Sequence, residues 1–268
     1  MKSKIYSFLN EEAEEFKKAS LRFGEAIYYT RKCPGSQKEN GDSLVIIDMD
    51  ETTVLLLADG AGGTPGGNKA SKEILEIMSS EITSAKNTEE VTTKVLNGFQ
   101  KANDHLLSQK TGAASTLSVV EIQSESIRPY HAGDSPILIV GQKGKRKLLT
   151  TVHSVTGFAV EAGLLAEDEA LSHEENHLLL NFVGNAQMRV EVGSPQSFDP
   201  LDRLFICSDG VSDNLAYEEI EELVRKGDLI SCAKELVKIL EKRMEDSKSK
   251  FHKPDDYSFI LFSPEKSN

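Results

Sequence analysis

The 268-residue sequence has no apolar run longer than six residues, so no segment reads as a membrane-spanning helix. Basic residues are outnumbered 31 to 43, for a formal net charge of −12. That deficit argues against nucleic acid and anionic membrane as main partners. Cysteine is scarce: Cys33, Cys207 and Cys232 are odd in number and scattered, which predicts reduced thiols and a cytoplasmic location. None has an Arg six residues later, so no Cys-x5-Arg nucleophile loop is present. The N-terminal Met-Lys-Ser-Lys-Ile-Tyr-Ser-Phe soon turns acidic, unlike a secretory signal. No internal repeat and no low-complexity linker interrupts the chain. With 38% hydrophobic and 28% charged residues, the composition is that of a globular protein with a real core.

The chain is organised around residues 54–67. The apolar run Val54–Ala58 stops at Asp59, and six of the next eight residues are Gly or Pro. This predicts a buried strand that delivers one carboxylate to its end, followed by an irregular loop. Cations and phosphates favour such places, because backbone carbonyls and N–H groups approach without an intervening Cβ. The spacing excludes two common phosphate-binding loops. Counting a Walker loop from Gly62 reaches Gly67, but Asn68 follows and Lys69 comes one place late. A dinucleotide fingerprint from Gly60 meets Pro65 where its third Gly belongs.

In chain order, the Glu/Lys/Ala-rich stretch 8–21 predicts a short exposed helix, making 1–23 a helical extension. Residues 24–30 read as a strand and 31–42 as a polar loop. Ser43–Met49 and Thr53–Ala58 form a hairpin around Asp50-Glu51-Thr52. Helices are predicted over 69–82 and 88–108, the second capped by Asn87 with Glu90 as its N3 partner. Strands follow at 115–122, 126–132, 136–140 and 146–151, closely enough spaced for antiparallel pairing. Residues 152–187 predict an irregular lobe over a sheet edge. Strands at 188–192 and 203–207, helices at 216–226 and 229–245, and a last strand at 257–262 complete the chain. The expected class is α+β: one domain over 1–268, with two mainly antiparallel sheets flanked by helix pairs as a four-layer α-β-β-α sandwich.

Four aspartates share one placement, at or beside a strand end: Asp42, Asp59, Asp209 and Asp255. Each alone would be a turn residue or helix cap. Buried together they would repel one another and raise each other's pKa unless a cation compensates. An all-oxygen donor set suits Mg²⁺ or Mn²⁺ better than zinc. His173 and His177 stand four apart but lack a third ligand, and with His153 are expected to serve surface or packing roles.

The motifs Asp59-Gly60-Ala61-Gly62-Gly63, Gly133-Asp134-Ser135, Ser208-Asp209-Gly210-Val211-Ser212-Asp213 and Asp255-Asp256-Tyr257-Ser258 occur in the order of the metal-dependent type 2C protein phosphatases. Gly112-Ala113-Ala114-Ser115-Thr116 resembles that family's Gly-Ser/Thr-rich lead-in to a strand, and Glu39-Asn40-Gly41-Asp42-Ser43 its N-terminal acidic motif. The resemblance spans about residues 24–263. It implies that Asp59 bridges two Mg²⁺ or Mn²⁺ ions, that the Gly60 carbonyl binds one of them, that Asp209 and Asp255 complete the first site, and that Asp42 serves the second directly or through water. Asp134 and Asp213 resemble ligands of a looser third ion. Lobe 152–187 corresponds to the family's variable flap. The implied activity is hydrolysis of phosphoserine and phosphothreonine on a protein substrate by water activated between the ions, with a cognate kinase as an implied partner.

The sequence departs from the family pattern at several places. Ala61 stands where many members have His. Gly41 stands where Glu or Gln is common, and Asp256 where Asn is frequent. The phosphate-binding Arg has no clear match, leaving Lys38 or Arg31 as substitutes. Two other readings stay open at this level: a binding or sensor module of the same fold with weak turnover, and a phosphatase of a small phosphorylated molecule.

Overall fold

The computed structural model describes residues 2–61, 66–124 and 126–265. Gly62-Gly63 of the Gly-rich motif, and the rest of 62–65, lie outside the described residues.

Thirteen strands and seven helices are described. The first sheet contains β1 (Ser3–Leu9), β4 (Asp42–Met49), β5 (Thr53–Asp59), β6 (Leu117–Gln123), β7 (Ser126–Ala132) and β10 (Glu191–Val192), in that spatial order, with β11 (Gln196–Ser197) also paired to β7. The second runs β2 (Lys17–Leu21), β3 (Gly24–Arg31), β13 (Tyr257–Pro264), β12 (Asp202–Cys207), β8 (Ile137–Gly141) and β9 (Arg146–Leu149). Every pairing is antiparallel.

Alternation of side chains along the central strands divides the core into three layers. Leu44, Ile46, Leu55 and Leu57 point between the sheets, where they meet Ile206, Ile260 and Phe262. Val45, Ile47, Val54 and Leu56 point the other way, onto α1 (Gly67–Thr83) and α2 (Thr88–Gln109). On the far side, Phe205, Tyr257, Phe259 and Leu261 pack under α6 (Tyr217–Val224) and α7 (Leu229–Glu245). The result is the expected four-layer sandwich. Asn87 caps α2 by accepting from Glu90 N at 3.0 Å, while the Glu90 carboxylate reaches back to Lys86 N instead of to Asn87.

Two expectations fail. The predicted N-terminal helix over 8–21, and with it the helical extension 1–23, is absent; β1 and β2 lie there instead. The Glu-rich 11–15 favours helix by composition, but Tyr6 and Phe8 pack on the inter-sheet core, and in β2 Ala19 and Leu21 are buried between exposed neighbours. That period-two burial is satisfied only by pairing, which overrides local propensity. The strand expected at 188–192 shrinks to β10, because the Asn181 side chain bonds both the N–H and the carbonyl of Arg189 and withdraws them from any ladder. Lobe 152–187 holds two short helices, α3 (Val155–Glu161) and α4 (Glu167–Leu171).

Candidate active site

The sheets converge their strand ends on one edge of the sandwich. In the β4–β5 register Asp42 pairs directly with Asp59, so the hairpin sets two carboxylates side by side. From the second sheet, β12 ends at Cys207 and leads through Ser208 into α5 (Asp209–Ser212), and Asp255 precedes β13. Ser208 N donates to Ser258 O at 3.0 Å, and Ser258 N donates to Ser208 Oγ at 2.9 Å. Ser208 Oγ in turn donates to Asp42 Oδ2 at 2.8 Å, joining the sheets at the site.

Asp59 is fixed through its backbone. Its carbonyl accepts from Thr116 N and Ser115 Oγ, both at 2.8 Å, and its N–H donates to Thr116 Oγ1 at 3.0 Å. Thr116 also shares a 2.7 Å hydroxyl contact with Ser135, tying in the Gly133-Asp134-Ser135 turn. The Ser-Thr pair is thus a clamp on the aspartate. Both Asp-Gly pairs need their glycine for close packing. A Cβ at Gly60 would overlap the Gly67 carbonyl, and one at Gly210 would overlap the Asp256 carbonyl.

The electrostatics are those of crowded, buried acid. Burial, partly offset by the Ser208 and Ser258 hydrogen bonds, pushes Asp42 up to about 8. Burial and then the charges of Asp42, Asp209 and Asp255 hold Asp59 well above the usual carboxylate range. Burial and Asp209 raise Asp255 to about 6 and Asp213 to about 7, and burial with Asp209 and Asp213 raises Asp134 strongly. Asp42 is 1% exposed, yet its Oδ1 has no hydrogen-bond partner. A buried carboxylate oxygen without a donor is costly, and a cation beside it would remove that cost. The residues therefore fit a divalent-cation site: oxygen donors only, one of them orphaned, with a glycine carbonyl adjacent.

Several residues here were silent in the sequence. Lys253 pairs with Asp209 at 3.3 Å and, more closely, with Asp213. Asp256 is half-buried, and its charge adds to the repulsion on Asp42 and Asp255. Its carboxylate accepts from Cys33 N at 2.7 Å and Gly41 N at 2.6 Å, clamping both ends of the loop before β4. Arg31 is engaged by Glu12 at 3.4 Å and by the Tyr29 hydroxyl, while Lys38 is exposed on the clamped loop. Neither makes an ion pair with the aspartates among the described residues.

His153 is a packing residue, stacked on His131 with ring centroids 4.4 Å apart and planes 14° apart. Its Nδ1 accepts from Gly133 N at 3.1 Å and its own N–H donates to Gly133 O at 3.0 Å. The proximity of His131, His153 and Glu191 does not make a metal site, because parallel stacked rings do not aim their in-plane lone pairs at a common point. His173 and His177 are exposed. Beside the cluster a cavity of about 360 Å³ is lined by Asp134, Ser212 and Asp213 on one side and by lobe residues including Gly157 and Val160 on the other. Arg146 holds that lobe down, bidentate to Glu167 at 2.5 and 3.1 Å and bonded to Glu221 at 2.5 Å.

Strand-end carboxylates gathered between two helix-flanked antiparallel sheets make a set of oxygen donors suited to divalent cations. The profile of the family described as Protein phosphatase 2C matches residues 31–250, and the chain belongs to that family. The serine/threonine phosphatase Stp of Listeria innocua is 25% identical over 198 residues, 70% of this chain and 77% of that protein. The structure of the S. agalactiae serine/threonine phosphatase superposes with a TM-score of 0.77 at 24% identity, covering 91% of this chain and all of that one. The catalytic domain of the phosphatase PstP, solved with two manganese ions, superposes with a TM-score of 0.69 at 20% identity, over 89% of this chain and 97% of that one. The chain is a protein serine/threonine phosphatase, and its substrates are phosphorylated proteins.

Proposed function

We propose that Asp42, Asp59, Asp209, Asp255 and the Gly60 carbonyl hold two Mn²⁺ or Mg²⁺ ions, and that hydrolysis of phosphoserine and phosphothreonine takes place there. The observation that carries this reading is the partnerless, buried Oδ1 of Asp42 within a cluster of acids raised by burial and mutual repulsion. The two manganese ions of the PstP domain support the count. When bound, such ions supply activation of water at neutral pH and positive charge against the phosphoryl oxygens. The chain's own residues do the rest. Ser208 orients Asp42, and Ser115 with Thr116 fixes Asp59. Asp256 holds the loop carrying Lys38, which we assign to the substrate phosphate in preference to Arg31, already engaged by Glu12.

Ala61 offers no side-chain proton to the leaving group, so turnover should depend steeply on leaving-group pKa across a series from aryl to alkyl phosphates. Three free cysteines support a reducing, cytoplasmic setting, and no described helix is long and apolar enough to cross a membrane. A kinase must install the esters that this enzyme removes, which places the enzyme in phosphorylation signalling. The test is phosphate release from a phosphothreonine peptide with Mn²⁺, with Mg²⁺ and with chelator. Release that survives metal removal would refute the assignment.

A further inference from the structure

Lys253 is set into the carboxylate cluster by design of the backbone around it. The side chain of Asn214, fully buried, accepts from Lys253 N at 3.0 Å and donates to Lys253 O at 2.7 Å. The same Asn214 amide donates to Gly210 O at 2.8 Å, one residue from Asp209. Both backbone polar groups of Lys253 are thus bonded to one carboxamide, itself anchored to the Asp-Gly corner. From there the side chain reaches Asp209 Oδ2 at 3.3 Å and Asp213 Oδ2 more closely. The ammonium also acts favourably on Asp134 and Asp255. It is thus held between two carboxylates although its side chain is 32% exposed.

We propose that the Lys253 ammonium is a resident counter-ion that takes the place of a third divalent cation at Asp134 and Asp213, so that this phosphatase binds two ions and not three. The inference rests on the two-ion reading above. Its logic is competition for oxygens and for charge. A cation between Asp134 and Asp213 would compete for the Asp213 carboxylate, whose Oδ2 Lys253 already holds, and it would sit against that positive charge. At the other corner, Asp42 and Asp59 have no cationic partner among the described residues, and there the demand for added cations remains.

The test counts Mn²⁺ bound at saturation, by calorimetry and by the electron paramagnetic resonance signal of free Mn²⁺. The proteins are the wild type, Lys253→Met, Lys253→Arg and the double variant Lys253→Met/Asp213→Asn, each checked for folding by circular dichroism. The expected counts are two for wild type, three for Lys253→Met, two for Lys253→Arg and two again for the double variant. Loss of the charge should also tighten Mn²⁺ at the Asp209 side by at least about tenfold. Three ions in wild type, or two in a folded Lys253→Met, would overturn the role of Lys253 and leave the two-ion reading standing. No Mn²⁺ bound by wild type would overturn both. Should Lys253→Met fail to fold, Lys253→Gln replaces it with the same expected count. A purely structural lysine would change stability without changing the number of ions.

Discussion

Two Asp-Gly corners meet at this site, one from each sheet, and their charges are met differently. Asp59-Gly60 ends β5 beside Asp42, and neither carboxylate has a basic partner among the described residues. Asp209-Gly210 opens α5 with Lys253 laid across it to Asp213. The backbones follow one rule, a strand end with a glycine forced by a crossing carbonyl. The difference lies in the side chains: one corner has no resident cation among the described residues, and the other has Lys253.

Asp59→Asn should break the comparison most severely. It removes one of the carboxylates proposed to hold the ions, and kcat should fall on the order of 10³-fold; steady-state assays with Mn²⁺ check this, and near-normal turnover would contradict it. Gly210→Ala tests the shared backbone rule. Its Cβ meets the Asp256 carbonyl, which no rotamer change can relieve, so denaturant unfolding should show a loss of about 3 kcal/mol.

Next in size is a pH effect on the metal-free protein. Folded Asp42, Asp213 and Asp255 keep their protons to about 8, 7 and 6, against roughly 3.9 for an unfolded aspartate. The folded state therefore binds more protons from about pH 4 upward, and this contribution to stability, complete below the unfolded value, is lost progressively from about pH 4 and is gone above about 8. In chelator, Tm should fall across that window, and saturating Mn²⁺ should abolish the fall. A flat Tm in chelator would contradict the crowding argument. The smallest expected effect is Asp256→Asn, which leaves one good acceptor for two amides. It should cost about 1–2 kcal/mol and raise KM more than it lowers kcat, because it loosens the loop carrying Lys38.

Much of this was legible in the sequence because it is local. The β4–β5 hairpin follows from two apolar runs around a polar turn, and its register alone sets Asp42 opposite Asp59. The helix pairs follow from apolar stripes. What failed or stayed hidden depends on partners far along the chain. Residues 8–21 have helix-favouring composition, but β2 is a strand because it pairs with β3. Ser208, Asn214 and Lys253 look like ordinary polar residues until folding sets them against Asp42, Gly210 and Asp213. Asp256 reads as one more acid beside Asp255, and only the amides of Cys33 and Gly41 give it a task.

The contrast between the corners is tested most directly by anomalous scattering from crystals of the wild-type chain grown with Mn²⁺. The account predicts manganese peaks among Asp42, Asp59, Asp209 and Asp255, with none between Asp134 and Asp213, and the Lys253 ammonium staying on Asp209 and Asp213. A manganese peak between Asp134 and Asp213 with Lys253 displaced, or no peak beside Asp59, would contradict it.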